Sequence, residues 1–198
     1  MKALITTLAI LVLVLLIAAA VVVSGLNKVV TLDERVAEAW AQVENQYQRR
    51  MDLIPNLVET VKGVAGFEKE TYTAVTEARA KAGQIRVTPE TLSDPAALSR
   101  FQEAQGQLGS ALSRLLVTVE NYPQLKANEN FQTLQAQLEG TENRIAVERM
   151  RYNQSAREFN TYIRKIPGNL WAAIRGLSRP KAYFEAETGA AQPPGVNF

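Results

Sequence analysis

Residues 3–23 read ALITTLAILVLVLLIAAAVVV, 21 consecutive positions without a charged side chain. A helix needs about 20 apolar residues to cross the hydrocarbon core of a bilayer, so this stretch reads as a single transmembrane helix. Thr6 and Thr7 are compatible with it, because a helical threonine hydroxyl bonds back to a carbonyl of the preceding turn. The competing reading is a cleaved export signal, with Lys2 as its basic start and Ala18, Ala19 and Ala20 as a small-residue cleavage site. The run continues through Val21, Val22 and Val23, past the ~7–15 residues of a signal's apolar core, and this favours a retained anchor over residues 1–25. No cysteine is present to carry a lipid. Lys28 and Arg35 follow the span and only Lys2 precedes it. Basic flanks favour the cytoplasmic side, which puts the bulk of the chain there.

After the span the apolar pattern changes. Val29, Leu32, Val36, Ala39, Val43, Tyr47, Arg50, Ile54, Leu57, Val61 and Val64 recur at steps of three and four, the stripe of a helix buried on one side. The anchor is therefore predicted to run on into the first helix of the remaining chain. Pro55 lies inside this stripe and predicts a kink or break near Asp52–Ile54. A thin, alanine-rich second helix is predicted from Phe67 to about Ile85, followed by a loop over 86–94. Asp94-Pro95 is a helix start signal, and a third stripe follows through Leu98, Phe101, Gln105, Leu108, Leu112, Leu115, Val119 and Tyr122 to Pro123. Asn128 reads as the cap of a fourth helix, whose stripe includes Phe131, Leu138, Thr141, Ile145, Glu148, Tyr152, Ala156, Phe159 and Ile163. Gly106 and Gly109 suggest close helix approach. The predicted fold class is all-α: an N-terminal transmembrane helix continuing into an antiparallel up-down four-helix bundle over residues 26–166, with long first and fourth helices. A short basic amphipathic segment over 167–186 and a disordered tail over 187–198 complete the chain.

The predicted lengths have a consequence. The first and fourth helices, at about 39 residues each, would be ~58 Å long, against ~28 and ~40 Å for the second and third. The membrane-side third would then hold two helices only. Its seam pairs Val29, Leu32, Val36 and Trp40 with Tyr152, Ala156, Phe159 and Ile163, and each side would be covered by one partner alone. Exposed apolar patches mark interfaces, so this seam predicts self-association into a homo-oligomer. Antiparallel pairing that sets residue 27 level with residue 166 places Arg50 opposite Asn143. An ion on a buried seam needs a partner, and Arg50, with Arg49 beside it, is predicted to pair with Glu142 or Glu148. The alternative is that both guanidinium groups snorkel to water.

Residues 168–184 read GNLWAAIRGLSRPKAYF, and no acid occurs from residue 159 to 184. Leu170, Trp171, Ile174 and Leu177 share a face, with Arg175, Arg179 and Lys181 beyond it. The fourth helix returns this segment to the membrane, where a tryptophan-bearing basic stretch suits anionic headgroups. The other reading is a short cap on the bundle's own seam.

Composition excludes much chemistry. With 22 basic and 20 acidic side chains the formal charge is +2, which argues against a nucleic-acid partner. The chain has no histidine and no cysteine, so it lacks the commonest general base, the commonest metal ligand and any thiolate. No phosphate-binding glycine loop or nucleophile elbow occurs. No catalytic residue, cofactor or metal site is expected, and the chain reads as non-enzymatic. The carboxylate pairs Glu68/Glu70 and Glu142/Glu148 lie near Lys or Arg and read as structural.

Three stretches resemble the LemA family: WAQVENQYQRRMDLIPNLVETVK at 40–62, EKETYTAVTEARA at 68–80, and NENFQTLQAQLEGTENRIAVERMRYNQSAREFNTYIRKIPGNL at 128–170. The resemblance covers most of the chain. It implies a membrane-anchored antiparallel helical bundle, a short outside N-terminus with the bulk inside the bacterial cytoplasmic membrane, and no established catalysis. The matching motif positions are Arg49, Arg50, Asp52, Asn56, Glu142, Asn143, Arg144, Tyr152 and Asn153. Several of them, with Glu148, fall at one level of the predicted bundle and read as a polar layer joining the first helix to the fourth. Genes of the family often lie beside those of membrane metalloproteases. Two functions follow as expectations: a self-assembling scaffold that organises other membrane proteins in the envelope, or an adaptor or regulator of a membrane protease. Oligomer size separates them.

Overall fold

The computed structural model describes residues 2–64 and 66–185, so the tail predicted over 187–198 lies outside it. Every regular element among the described residues is helical. Helix α1 spans Lys2–Lys62, α2 Lys69–Gln84, α3 Pro95–Val119, α4 Pro123–Lys126, α5 Glu129–Arg164 and α6 Gly168–Arg175, with a 3₁₀ turn at Pro89–Ser93 between α2 and α3.

The predicted helix starts are found where their chemistry puts them. Asp94 caps α3, its carboxylate accepting the Ala96 N–H at 2.9 Å, with Pro95 in the first turn. Asn128 caps α5 by accepting the Phe131 N–H at 3.1 Å. The apolar segment and the first seam form one helix of 61 residues, long and apolar enough near its N-terminus to cross a membrane.

Of the kink or break predicted near Asp52–Ile54, a break does not occur, as α1 is helical on both sides of Pro55. Proline has no N–H, so the Met51 carbonyl loses its helical donor. Arg79 on α2 supplies a replacement: its Nε donates to that carbonyl at 2.9 Å. A long-range contact thus satisfies what the local sequence leaves open.

α5 packs antiparallel along α1, α2 packs on α1, and α3 packs on α2. α3 reaches α1 through the long side chain of Phe101, which meets Trp40 and Tyr47. α3 and α5 do not close on each other, and a groove of about 1060 Å³ runs between them. The four long helices therefore form an open series, α5–α1–α2–α3, and the closed ring expected of an up-down bundle is not seen among the described residues. Gly106 and Gly109 line this groove, and a β-carbon at either would meet nothing within 4 Å. The close helix approach predicted for them is corrected: they face space.

The core has two parts. The part nearer the apolar segment gathers Val29 to Tyr47 of α1, Ile145 to Ile163 of α5, Leu98 and Phe101 of α3 and several short-element residues. The distal part gathers Ile54 to Val61, α2, most of α3, Phe131 and Leu138.

Arg79→Ala should leave the Met51 carbonyl without a donor and cost about 1–2 kcal/mol. Pro55→Ala restores a backbone N–H, so it should recover part of that loss in the Arg79→Ala background. Thermal unfolding of the four-member mutant cycle in detergent checks this; additive effects at the two sites would refute the assignment.

Candidate functional site

Between the two halves of the core lies the polar layer. Arg50 is 3% exposed. Its Nη1 donates to Glu142 Oε1 at 2.7 Å. Its Nη2 donates to the Gln105 carbonyl at 3.2 Å and also to Gln105 Oε1. The Tyr47 ring covers the guanidinium from 5.2 Å. The predicted register is thus met within one residue, and Arg50 takes Glu142 rather than going to water.

The layer is smaller than predicted. Arg49, Asp52, Asn56, Asn143 and Arg144 are exposed; they sit on the outer faces of α1 and α5, because neighbours of a seam residue point away from it in a helix. Asp52 accepts from Gln48 at 2.7 Å, one turn away. Glu148 pairs with Arg151 at 2.7 Å, not with Arg50. Gln105, which sequence places on the third seam without a polar role, is the missing member. It is buried and stands where a long polar side chain from α3 can meet the α1–α5 pair.

The membrane-side seam also needs correction. Val29, Leu32, Val36, Trp40, Tyr152, Phe159 and Ile163, predicted to be half covered and to carry self-association, are all buried inside one chain. The expectation of an open seam gave residues 167–186 to the membrane; the other reading, a short cap on the seam, fits Ala172 and Phe184. Short elements close the seam: Val87 and Leu92 around the 3₁₀ turn, Ala172 of α6, and Phe184 in an extended strap over residues 177–185. Trp40 is the hub. It stacks on Phe184 at 5.9 Å, meets Phe101 and Tyr152 edge-on at 5.5 and 5.7 Å, and donates its indole N–H to the Val87 carbonyl at 3.1 Å.

Two asparagines of α5 hold the strap. Asn153 accepts the Phe184 N–H at 2.8 Å and donates to its carbonyl at 2.9 Å. Asn160 does the same for Lys181, at 2.7 and 2.8 Å. Each side-chain amide mimics a strand partner. The spacing fits, since seven helical residues rise ~10.5 Å and three extended ones ~10 Å. The Tyr152 hydroxyl donates to the Ala182 carbonyl at 3.0 Å, and burial pushes its phenol pKa well up, so it remains a donor. Asn153 was legible as a motif residue. Asn160 and Phe184 were missed; the available signal was a pair of asparagines seven apart on a buried helical face.

The segment predicted to meet the membrane surface divides. Leu170 and Ile174 are exposed, at 54% and 66%. Arg175 and Arg179 are exposed too. Trp171 is half-buried and lies over Gly25 of α1, so closely that a β-carbon on Gly25 would come within 2.3 Å of the indole Nε1. Lys181 leaves the set: it pairs with Asp33 at 2.8 Å, above the Phe159 ring, because the strap turns back along α1.

Removing Glu142 should leave the buried Arg50 charge without its counter-ion. Glu142→Ala is expected to cost about 2–4 kcal/mol, against less than about 0.5 kcal/mol for the exposed neighbour Glu139→Ala. In the Glu142→Ala background, Arg50→Met with Gln105→Leu should recover most of the loss, and thermal unfolding in detergent reads both. For the strap, Asn160→Ala is expected to cost about 1–3 kcal/mol and to speed amide hydrogen exchange at Lys181, whose N–H Asn160 accepts. Unchanged exchange there would mean that Asn160 does not hold the strap.

A profile of the LemA family matches residues 39–198, which includes the Arg50 layer, the strap and α6. The chain is 28% identical over 179 residues to magnetosome protein MamQ 2 of Paramagnetospirillum magneticum, covering 82% of this chain and 66% of that relative. It is 29% identical over 179 residues to magnetosome protein MamQ of Magnetospirillum gryphiswaldense, with the same two coverages. The chain thus spans just under two thirds of the length of these curated relatives. A family match over most of the chain, on the motif stretches that build the Arg50 layer, means that this protein belongs to the LemA family.

Proposed function

We propose that this protein is a non-enzymatic, membrane-anchored helical scaffold that self-assembles at the bacterial cytoplasmic membrane, with its bulk on the cytoplasmic side. One observation carries the reading: the apolar span and the central staff of the folded part are a single uninterrupted helix, α1. A tether meant only to keep a domain near a membrane can be flexible. A continuous helix instead fixes how the folded part stands on the bilayer. The likeness to proteins named for the magnetosome supports a membrane location. The exposed basic residues Lys28, Arg35, Arg164, Lys165, Arg175 and Arg179, all on the membrane side, support the cytoplasmic orientation.

Because the Trp40 seam is closed within the chain, assembly needs another face. The α3–α5 groove is the best candidate, and a second copy is the occupant that its chemistry suits. Its walls carry Arg114 and Lys126 together with Glu120 and Glu139, charges of both signs that a two-fold axis can pair with themselves. Val117, on its rim, is 62% exposed, an apolar side chain that a partner would cover.

The mass of the full chain in nanodiscs tests this. We expect an oligomer, and Val117→Glu is expected to reduce it to single chains without lowering the unfolding temperature. A wild-type protein that is strictly monomeric would remove the scaffold reading and favour the adaptor of a membrane protease, in which the same groove receives a different protein.

A further inference from the structure

The short helix α6 sits where the apolar span ends. Val23, the last residue of the apolar run, lies two residues before Gly25, ~3 Å along the helix axis, and Trp171 of α6 is packed on Gly25. The Tyr162 hydroxyl donates to the Gly25 carbonyl at 3.2 Å, which ties the end of α5 to the same turn of α1. Gly168 opens α6 against the Tyr162 carbonyl, where a β-carbon would come within 2.2 Å. These contacts set α6 against the first turn of α1 beyond the span.

From this position α6 turns one face inward, through Gly168 and Ala172, and another outward. The outward face presents Leu170 and Ile174, one turn apart, and Ile166 before them is 84% exposed. Among the described residues, nothing covers these three. Arg164, Lys165, Arg175 and Arg179 surround them and are exposed, with no acid between residues 159 and 184.

We propose that α6 is a foot that lies in the headgroup region of an anionic bilayer, with Ile166, Leu170 and Ile174 inserted at the acyl boundary and the four cations against lipid phosphates. This rests on the reading of α1 as a membrane anchor and goes beyond it, since an anchor needs no second contact. The occupant is lipid and not protein because Trp171, next to Leu170, packs on Gly25, within about one turn of the exposed Val21 and Val23 that end the apolar span. A half-buried tryptophan at that level fits the interfacial preference of its ring. An apolar face flanked by cations is the pattern of an interfacial helix.

The absence of cysteine allows single labels to be placed at will. Full-length chains carrying Val12→Cys, Leu170→Cys, Ile174→Cys or Glu77→Cys, each with a nitroxide, would be reconstituted in nanodiscs of phosphatidylcholine with or without phosphatidylglycerol. Glu77 is exposed on α2, away from the α3–α5 groove. Accessibility to oxygen and to a water-soluble nickel complex reports depth. We expect position 12 deep, positions 170 and 174 at the headgroup–acyl boundary, and position 77 in water. Phosphatidylglycerol should draw positions 170 and 174 deeper, and Arg175→Gln with Arg179→Gln should weaken that dependence. Position 12 deep with 170 and 174 as wet as 77 overturns the foot and leaves the anchor standing. Position 12 in water overturns both. Depth at 170 and 174 that ignores phosphatidylglycerol overturns the assignment of the cations to lipid phosphates.

Discussion

A guanidinium removed from water must find acceptors or bring the structure down with it, and Arg50 is the residue on which this protein imposes that demand. It lies at the waist, with Tyr47, Phe101 and Ile145 in the core on one side and Ile54, Leu108 and Leu138 in the core on the other. Its acceptors come from two other helices, Glu142 on α5 and Gln105 on α3. Apolar stripes alone would let two long antiparallel helices slide by a turn at small cost, since each seam repeats the same kinds of residue. The ion pair admits one register. Glu142 is 47% exposed, so its charge keeps part of its hydration and only Arg50 bears the full cost of burial. Such a layer specifies an arrangement more than it adds stability.

The same economy recurs at Pro55 and in the strap. Where proline removes a helical donor, an arginine from α2 replaces it. Where the chain leaves helical structure after Arg175, two asparagine amides replace the strand partner that an extended backbone needs. In each case a side chain far off in sequence satisfies a main-chain group, which is why these elements come as a set. The strap then completes what the long helices leave undone. With Phe184 on Trp40, it turns a two-helix seam that would be sticky into a closed interior.

This division explains what could be read in advance. The helix starts at Asp94 and Asn128, the three-four stripes and the Arg50–Glu142 pairing rest on local pattern or on a register computed from it, and all are present. The continuity of α1 through Pro55, the role of Gln105, the closure of the Trp40 seam and the open α3–α5 groove depend on contacts between distant segments. Periodicity reports which face of a helix is apolar, not what covers it. Giving residues 167–186 to the membrane surface, rather than to the seam as in the other reading, produced the expectation of an exposed seam at Val29, Leu32, Val36 and Trp40. Gly106 and Gly109 misled for the same reason: small residues permit close approach, and do not require it. The polar set was overextended because a motif marks residues that recur together, whereas a layer contains only those on the inward face.

The contact of α6 with Gly25 gives the continuous helix a further consequence. A helix turns about 100° for each residue, so Gly25 fixes not only the height of α6 against the apolar span but also its azimuth. Every buried position of α1 from Val29 to Val61 is then phased with the membrane segment. A one-residue insertion between Gly25 and Val29 would turn Gly25 about 100° away from Trp171 and break that contact. A deletion there would do the same in the opposite sense. The turn of α1 just past the apolar segment is thus part of the fold, and the close packing of Trp171 on a residue without a side chain is where its phase is set.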